Sequence, residues 1–134
     1  MTTQIFVNLP VKDLARSTEF FSRLGYKFDP QFTDEKAACM IVSDDIYVML
    51  LLEKFFATFT TKPIADATQS TEVLMALSCE SRAKVDEQVR KALAAGGTSP
   101  RAPQDHGFMY GHGFDDLDGH IWKLFYMEPG AVKD

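Results

Sequence analysis

IFVNLPVKDLARSTEFFSRLG, residues 5–25, is the segment that decides the fold of this chain. Its opening, residues 5–11, is typical of a β-strand, and Asp13 is a suitable N-cap for a helix that follows. Apolar side chains then recur at helical spacing, at Leu14, Phe20, Phe21 and Leu24. Gly25 ends the helix. The segment therefore predicts a strand followed by an amphipathic helix.

Three further strands are predicted after this helix. They cover residues 26–32, 37–43 and 46–52, and the turn Asp44-Asp45 joins the last two. The first half of the chain thus has the order β, α, β, β, β.

The second half repeats this order. TEVLMALSCESRAKVDEQVRKALAAGG, residues 71–97, predicts a strand, an N-cap at Ser81 and a helix through Ala95. The apolar face of this helix is predicted at Val85, Val89 and Leu93. Strands are then expected at residues 98–102, 108–114 and 120–127, with the turn DLDG before the last.

Two such halves predict an α+β fold made of two βαβββ modules. The modules cover residues 1–61 and 71–134, the polar stretch 62–70 links them, and together they form one domain. Each sheet leaves one face uncovered, so we expect the two sheets to form a shared curved groove with the helices outside. Such a groove is a natural ligand site. For Phe55, Phe56 and Phe59 we favour packing against the core at the groove rim over a dimer contact.

Composition excludes several classes of function. The net charge of -5 and the pI near 5.1 argue against binding to nucleic acid, which needs a clustered basic face. The longest aliphatic run, residues 46–52, is far too short to span a membrane, and the N-terminus has no basic leader. Cys39 and Cys79 lie in apolar runs and are predicted to be buried thiols. We therefore expect a cytoplasmic protein.

Several segments resemble the glyoxalase/bleomycin resistance/extradiol dioxygenase group, also called the vicinal oxygen chelate superfamily. They are VKDLARSTEFFSRLGY, TEVLMALS and FDDLDGHIWKLFYMEP, and the resemblance covers nearly the whole chain. IFVNLPVKDL, QFTDEKAACMIVSDDIYVMLL and PQDHGFMYG resemble more narrowly the branch of predicted lyases related to lactoylglutathione lyase. The resemblance also implies a homodimer that binds a small molecule.

In metal-dependent members of this superfamily, the first and last strands of each module each lend a His or Glu ligand. The resemblance places these four positions at Phe6, Met49, Leu74 and Lys123, with a possible one-residue slip from Met49 to Leu50. None of these side chains is a plausible ligand for a divalent cation. The departure from the family pattern implies that the chain has no metal site and no cofactor.

Other residues are candidates for binding or chemistry. Strand alternation predicts that Lys123 faces the groove with Ile121 and Phe125, while Trp122, Leu124 and Tyr126 pack under the helices with His120 on the same side. Lys123 is a candidate for attracting an anion, for base or Schiff-base chemistry if desolvated, or for an ion pair with an acid such as Glu53.

The predicted strand 108–114 places Phe108, Tyr110 and His112 on one face. If that face lines the groove, His112 and Tyr110 are candidate acid/base or recognition groups; the alternative is a structural histidine hydrogen-bonded at a strand edge. Asn8, on the same strand face as Phe6, either orients a ligand or satisfies backbone groups.

Two functions remain open. The favoured one is metal-independent binding of a small organic molecule in an apolar, aromatic-lined groove, with contacts from Phe6, Asn8, Met49, Leu74 and Phe108. The alternative is a lyase, isomerase or dioxygenase-like enzyme that acts through His112, Tyr110 and Lys123, either without metal or with non-standard metal ligands.

Overall fold

The computed structural model describes residues 2–130, so the predicted outer bounds at 1 and 134 lie outside the described residues. The chain divides into two compact units, and the boundary falls between Asp66 and Ala67. Each unit contains a four-stranded mixed sheet and a long helix. Among the described residues, no helix combines the length and the apolar character needed to cross a bilayer.

The first unit has four strands and two α-helices, with 3-10 turns at Pro30–Phe32 and Ala57–Phe59. In chain order the elements are β1 (Ile5–Val11), α1 (Leu14–Arg23), β2 (Lys27–Phe28), β3 (Ala37–Ser43), β4 (Ile46–Leu52) and α2 (Glu53–Phe56).

The second unit has four strands and one helix. In chain order they are β5 (Leu74–Ser78), α3 (Arg82–Ala94), β6 (Gln104–Asp105), β7 (Met109–Asp115) and β8 (Ile121–Met127).

Both sheets have the same strand order, β1-β4-β3-β2 in the first unit and β5-β8-β7-β6 in the second. In each, the first strand pairs in parallel with the last, and the other neighbours are antiparallel. This repeated topology confirms the α+β fold of two βαβββ modules that the sequence predicts.

The predicted helix starts are confirmed. The side chain of Asp13 accepts a hydrogen bond from the backbone N–H of Arg16, and that of Ser81 accepts one from Lys84, each at 3.0 Å. These caps satisfy N–H groups that have no partner within the helix. Gly25 follows the first helix with a φ of 101°, a conformation that glycine adopts without strain.

The helices cover one face of each sheet. Phe20 and Phe21 of α1 are buried, as are Val85 and Val89 of α3. The prediction for Leu93 was wrong, because this side chain is exposed and Ala92 and Gln88 fill the buried stripe instead.

The second strand of each module was predicted wrongly. Only Lys27–Phe28 of the predicted 26–32 is a strand, because the side chain of Asp29 accepts from the N–H of Gln31 and caps a 3-10 turn that starts at Pro30. The predicted strand 98–102 is reduced to one bridge, Thr98 with Asp115, and the strand lies at Gln104–Asp105 instead.

The aromatic segment after β4 was also partly wrong. Phe55 and Phe56 lie in the short helix α2 and are half-buried, whereas Phe59 is 69% exposed. Phe59 therefore does not contribute to the core. The cysteines are both free thiols, and only Cys39 is fully buried while Cys79 is half-buried.

Candidate functional site

The strand register assigns each candidate residue to one face of its sheet. In the first unit Phe6 lies opposite Tyr47, and Asn8 lies opposite Met49. Residues in register share a face, so these four side chains lie together on the face opposite to the one that α1 covers. Leu50 lies on the covered face and is fully buried, which excludes the one-residue slip from Met49.

The open face of the first sheet carries an aromatic pair in which Phe6 is exposed and Tyr47 is half-buried. The rings of Phe6 and Tyr47 are stacked with centroids 4.6 Å apart and planes 9° apart, and Phe6 is 44% exposed. The amide of Asn8 donates to the backbone carbonyl of Phe6 at 3.0 Å. Asn8 therefore satisfies a backbone group, which was one of the two predicted roles, and its side chain stays exposed beside the pair.

The open face of the second sheet has a different character. Leu74 lies in register with Ile121, and Lys123 lies between Ala76 on one side and Gly113 on the other. Leu74 and Lys123 are exposed, whereas Trp122 and Leu124 on the opposite face are buried. The predicted alternation of β8 is thus confirmed. The exposure of Lys123 removes the desolvation that base or Schiff-base chemistry requires.

His112 and Tyr110 do not lie on this open face. Tyr110 pairs with Tyr126, His112 with Leu124, and Phe114 with Trp122, so β7 presents all three to the side that α3 covers. The condition on which His112 and Tyr110 were candidate acid/base or recognition groups, that their strand face lines the groove, therefore does not hold on the open face that carries Lys123. Phe108 precedes β7, is 53% exposed, and has its ring 6.2 Å from that of His106.

Tyr110 belongs to a polar cluster between α3 and the start of β7. Its hydroxyl donates to Asp86 at 2.5 Å, and the guanidinium of Arg82 lies 5.3 Å from its ring centroid. Arg82 also binds Asp105 at 3.0 Å and the carbonyl of Gly107 at 2.9 Å. The hydrogen bond to Asp86 raises the pKa of Tyr110, with burial a smaller cause. This cluster fastens the β6 segment to the helix, and it was not predicted.

His112 also forms hydrogen bonds that connect a neighbouring segment to β7. Its Nε2 lies 3.1 Å from the hydroxyl of Ser99 and 3.1 Å from the carbonyl of Arg101. The Ser99 hydroxyl donates its one proton to the carbonyl of Gly113 at 2.6 Å. Since neither neighbour then has a proton to offer, Nε2 must carry one itself. His112 thus joins the segment at 99–101 to β7. This matches the alternative prediction from the sequence, a structural histidine that is hydrogen-bonded at a strand edge.

A buried carboxylate organises the last hairpin. Asp116 accepts hydrogen bonds from the backbone N–H groups of Asp118 and His120 and from the indole of Trp122, each at 3.0 Å. Burial raises the pKa of Asp116, and the charge of His120 opposes that shift. The turn residues were expected from DLDG, but the bond to Trp122 is a tertiary contact that spacing alone does not reveal.

The donor set at the four family positions does not fit a metal ion. Phe6, Met49 and Leu74 carry no hard ligand atom, and Lys123 carries a positive charge. Among residues 2–130, no group of three or more His, Cys, Asp or Glu side chains is arranged to hold a cation.

Comparisons with known proteins agree with this architecture. The family profile described as "Bleomycin resistance protein-like N-terminal" matches residues 3–43. The solved structure of hypothetical protein SA1046 from S. aureus is 30% identical, with a TM-score of 0.79 over 94% of this chain and 95% of that one. No curated protein matches the sequence.

Two further solved structures are similar in fold. A glyoxalase/bleomycin resistance protein/dioxygenase family enzyme from Burkholderia phytofirmans PsJN is 15% identical, with a TM-score of 0.77 over 95% of this chain and 100% of that one. The fosfomycin resistance protein FosX from Mesorhizobium loti is 15% identical, with a TM-score of 0.69 over 96% of this chain and 95% of that one.

Proposed function

This chain belongs to the glyoxalase/bleomycin resistance/dioxygenase superfamily, the vicinal oxygen chelate superfamily, and from that premise we propose that it binds a small organic molecule without a metal ion. Sequestration of such a molecule, as the name of the bleomycin resistance relatives suggests, is the function that this fold and these side chains support best. The lactoylglutathione lyase-related branch, the homodimer and the cytoplasmic location implied by the resemblance are parts of the same proposal.

The observation that carries the proposal is the stack of the exposed Phe6 ring on the half-buried Tyr47 ring. Aromatic side chains usually bury most of their surface, so a stacked pair in which Phe6 is 44% exposed is suited to stacking against a third ring. Met49 is half-buried beside this pair and offers a flexible, polarizable contact. The exposed amide of Asn8 supplies a polar group at the edge. A flat aromatic ligand with a polar substituent fits these contacts.

The enzymatic alternative receives less support. His112 and Tyr110 hold local structure through Ser99 and Asp86, and they lie on the opposite face of their sheet from Lys123. An acid, a base and a cation that act on one substrate must reach the same atoms.

The test measures the binding of a neutral aromatic probe, 2-naphthalenemethanol, by fluorescence titration and by the shift in the protein's thermal unfolding temperature. At 100 times its Kd, a bound probe stabilises the protein by about 2.7 kcal/mol. Phe6→Ala is expected to weaken binding about fivefold to tenfold, because it removes one ring of the stack. Phe32→Ala is the matched control, since Phe32 is also exposed in the first unit but lies outside the strands.

Three results would contradict the proposal. The first is the absence of saturable probe binding, and the second is equal weakening by Phe6→Ala and Phe32→Ala. The third is stoichiometric Zn, Ni or Fe in protein purified without chelator, together with hemithioacetal isomerisation that EDTA abolishes. Light scattering of the same preparation measures the oligomeric state.

A further inference from the structure

Lys123 is placed unusually for a lysine, in the central part of an inner strand. It is the third residue of β8, which lies between β5 and β7 in the sheet. Its side chain is exposed on the open face, and its neighbours along the strand on that face are Ile121 and Phe125. A cation thus projects from a mainly apolar surface. Lysine at such a position gains nothing from packing that an aliphatic residue would not also provide.

The neighbouring strands leave space around the ammonium group. Ala76 and Gly113 lie on either side of Lys123, and neither has a side chain long enough to contact it at its tip. Gly113 is required by the backbone, because a Cβ there would lie 2.5 Å from the carbonyl oxygen of Trp122. The position beside Lys123 therefore stays without a side chain.

The charge of Lys123 is not neutralised within its unit. Among residues 67–130, no carboxylate lies within 4.0 Å of its Nζ. The carboxylate that strand alternation assigns to the same face, Asp115, is already bound to Arg101 at 2.6 Å. A local positive charge on an apolar face is complementary to an acidic ligand.

We propose that Lys123 binds the carboxylate of a small organic acid whose apolar part lies on Leu74, Ile121 and Phe125. One ammonium group neutralises one negative charge, whereas a doubly charged phosphate would leave an uncompensated charge against apolar side chains. The exposed hydroxyl of Ser78, in register with Phe125, is a further donor on the same face. This inference rests on one part of the proposed function, namely that an open sheet face of this protein binds small organic molecules.

The experiment compares two probes of the same shape, 2-naphthoate and 2-naphthalenemethanol, by fluorescence titration at low salt. Lys123→Met removes the charge and keeps the length, and the equivalent position of the first sheet already holds Met49. We expect Lys123→Met to weaken naphthoate binding about tenfold, the worth of one hydrogen bond to a charged group, and to leave the alcohol within about twofold. Lys123→Arg should retain most naphthoate affinity. The control for overall charge is Lys62→Met, because Lys62 is an exposed lysine in the segment between β4 and β5.

The outcomes separate the inference from the proposed function. If neither probe binds, both are wrong. If both bind and Lys123→Met alters neither, or alters both equally, the inference is wrong and the proposed function stands. If Lys123→Met changes the molecular mass in light scattering and leaves naphthoate binding unchanged, the face binds a second copy of the chain, and the inference is again wrong.

Discussion

The open faces of the two sheets share one register and differ in chemistry. Met49 in the first sheet and Lys123 in the second occupy matching places on the last strand, each two residue pairs beyond the pairs Phe6–Tyr47 and Leu74–Ile121. Their neighbours on the antiparallel strand are Cys39 and Gly113. A repeated topology thus fixes where side chains lie without fixing what they are: Cys39 is fully buried beside Met49, whereas Lys123 is exposed beside Gly113.

The units also differ in how the segment around the short second strand is held. In the first unit the contacts are local: Thr33 donates to the carbonyl of Asp29 at 2.7 Å, and its hydroxyl accepts from the N–H of Cys39 at 3.1 Å. In the second unit Arg82 reaches from α3 to Asp105 and the Gly107 carbonyl. Local hydrogen bonds form wherever the chain turns, whereas the Arg82 contacts require the helix to be docked.

The largest difference between the units is expected at their last hairpin turns. Asp116→Ala removes the acceptor for two backbone N–H groups and for the Trp122 indole, and leaves buried donors without a partner. We expect the free energy of unfolding to fall by about 3 kcal/mol. Asp44→Ala changes an exposed side chain in the corresponding turn of the first unit and should cost less than about 0.5 kcal/mol. Urea denaturation measures both; similar losses would remove this distinction between the turns.

A smaller loss is expected where the strands of the second sheet approach most closely. Gly113→Ala places a Cβ 2.5 Å from the Trp122 carbonyl oxygen, so β7 and β8 must shift, at a cost of about 2 kcal/mol. Gly111→Ala is the matched control, because its Cβ would lie 3.5 Å from the Leu124 carbonyl oxygen, an ordinary contact. If Gly111→Ala is as destabilising as Gly113→Ala, general β-propensity explains the result and close approach does not.

Much of the fold could be predicted because its signals are local. The strands Ile5–Val11, Ala37–Ser43 and Ile46–Leu52 have the predicted bounds, and the caps Asp13 and Ser81 act as expected. Each depends on neighbouring residues in the chain. The two-residue strands Lys27–Phe28 and Gln104–Asp105 could not be located, since their pairing partners lie elsewhere in the sequence.

The site was predicted less well because the sequence of one strand does not show which of its two faces a helix covers. Alternation groups Tyr110 with His112 but does not say which side they take. The sequence does contain the information that assigns this face. Trp122 was predicted to pack under the helices, and the DLDG turn brings Phe114 opposite Trp122. Pairing across the hairpin therefore assigns His112 to the covered face. The Arg82 cluster had no such signal, because helix and loop residues meet only after folding.

The smallest difference concerns how each helix contacts its sheet. α1 uses the buried rings of Phe20 and Phe21, whereas α3 adds the hydrogen bond from Tyr110 to Asp86. Tyr110→Phe should lower the free energy of unfolding by about 1 kcal/mol at neutral pH. Because this bond raises the pKa of Tyr110 above its ordinary 10.0, its stabilisation is complete below pH 10.0 and is lost as the pH rises through the folded-state value.

The difference in stability between the natural protein and Tyr110→Phe should therefore be constant from about pH 7 to 9 and shrink above pH 10. Urea denaturation across this range measures it, with Tyr126→Phe as a control at the cross-strand neighbour. A difference that grows with alkaline pH would mean that the tyrosinate is favoured in the folded protein, in which case the charge of Arg82 outweighs the bond to Asp86. The cation of Arg82 would then hold α3 to its sheet, and the contrast with the aromatic packing of α1 would have to be assigned to Arg82.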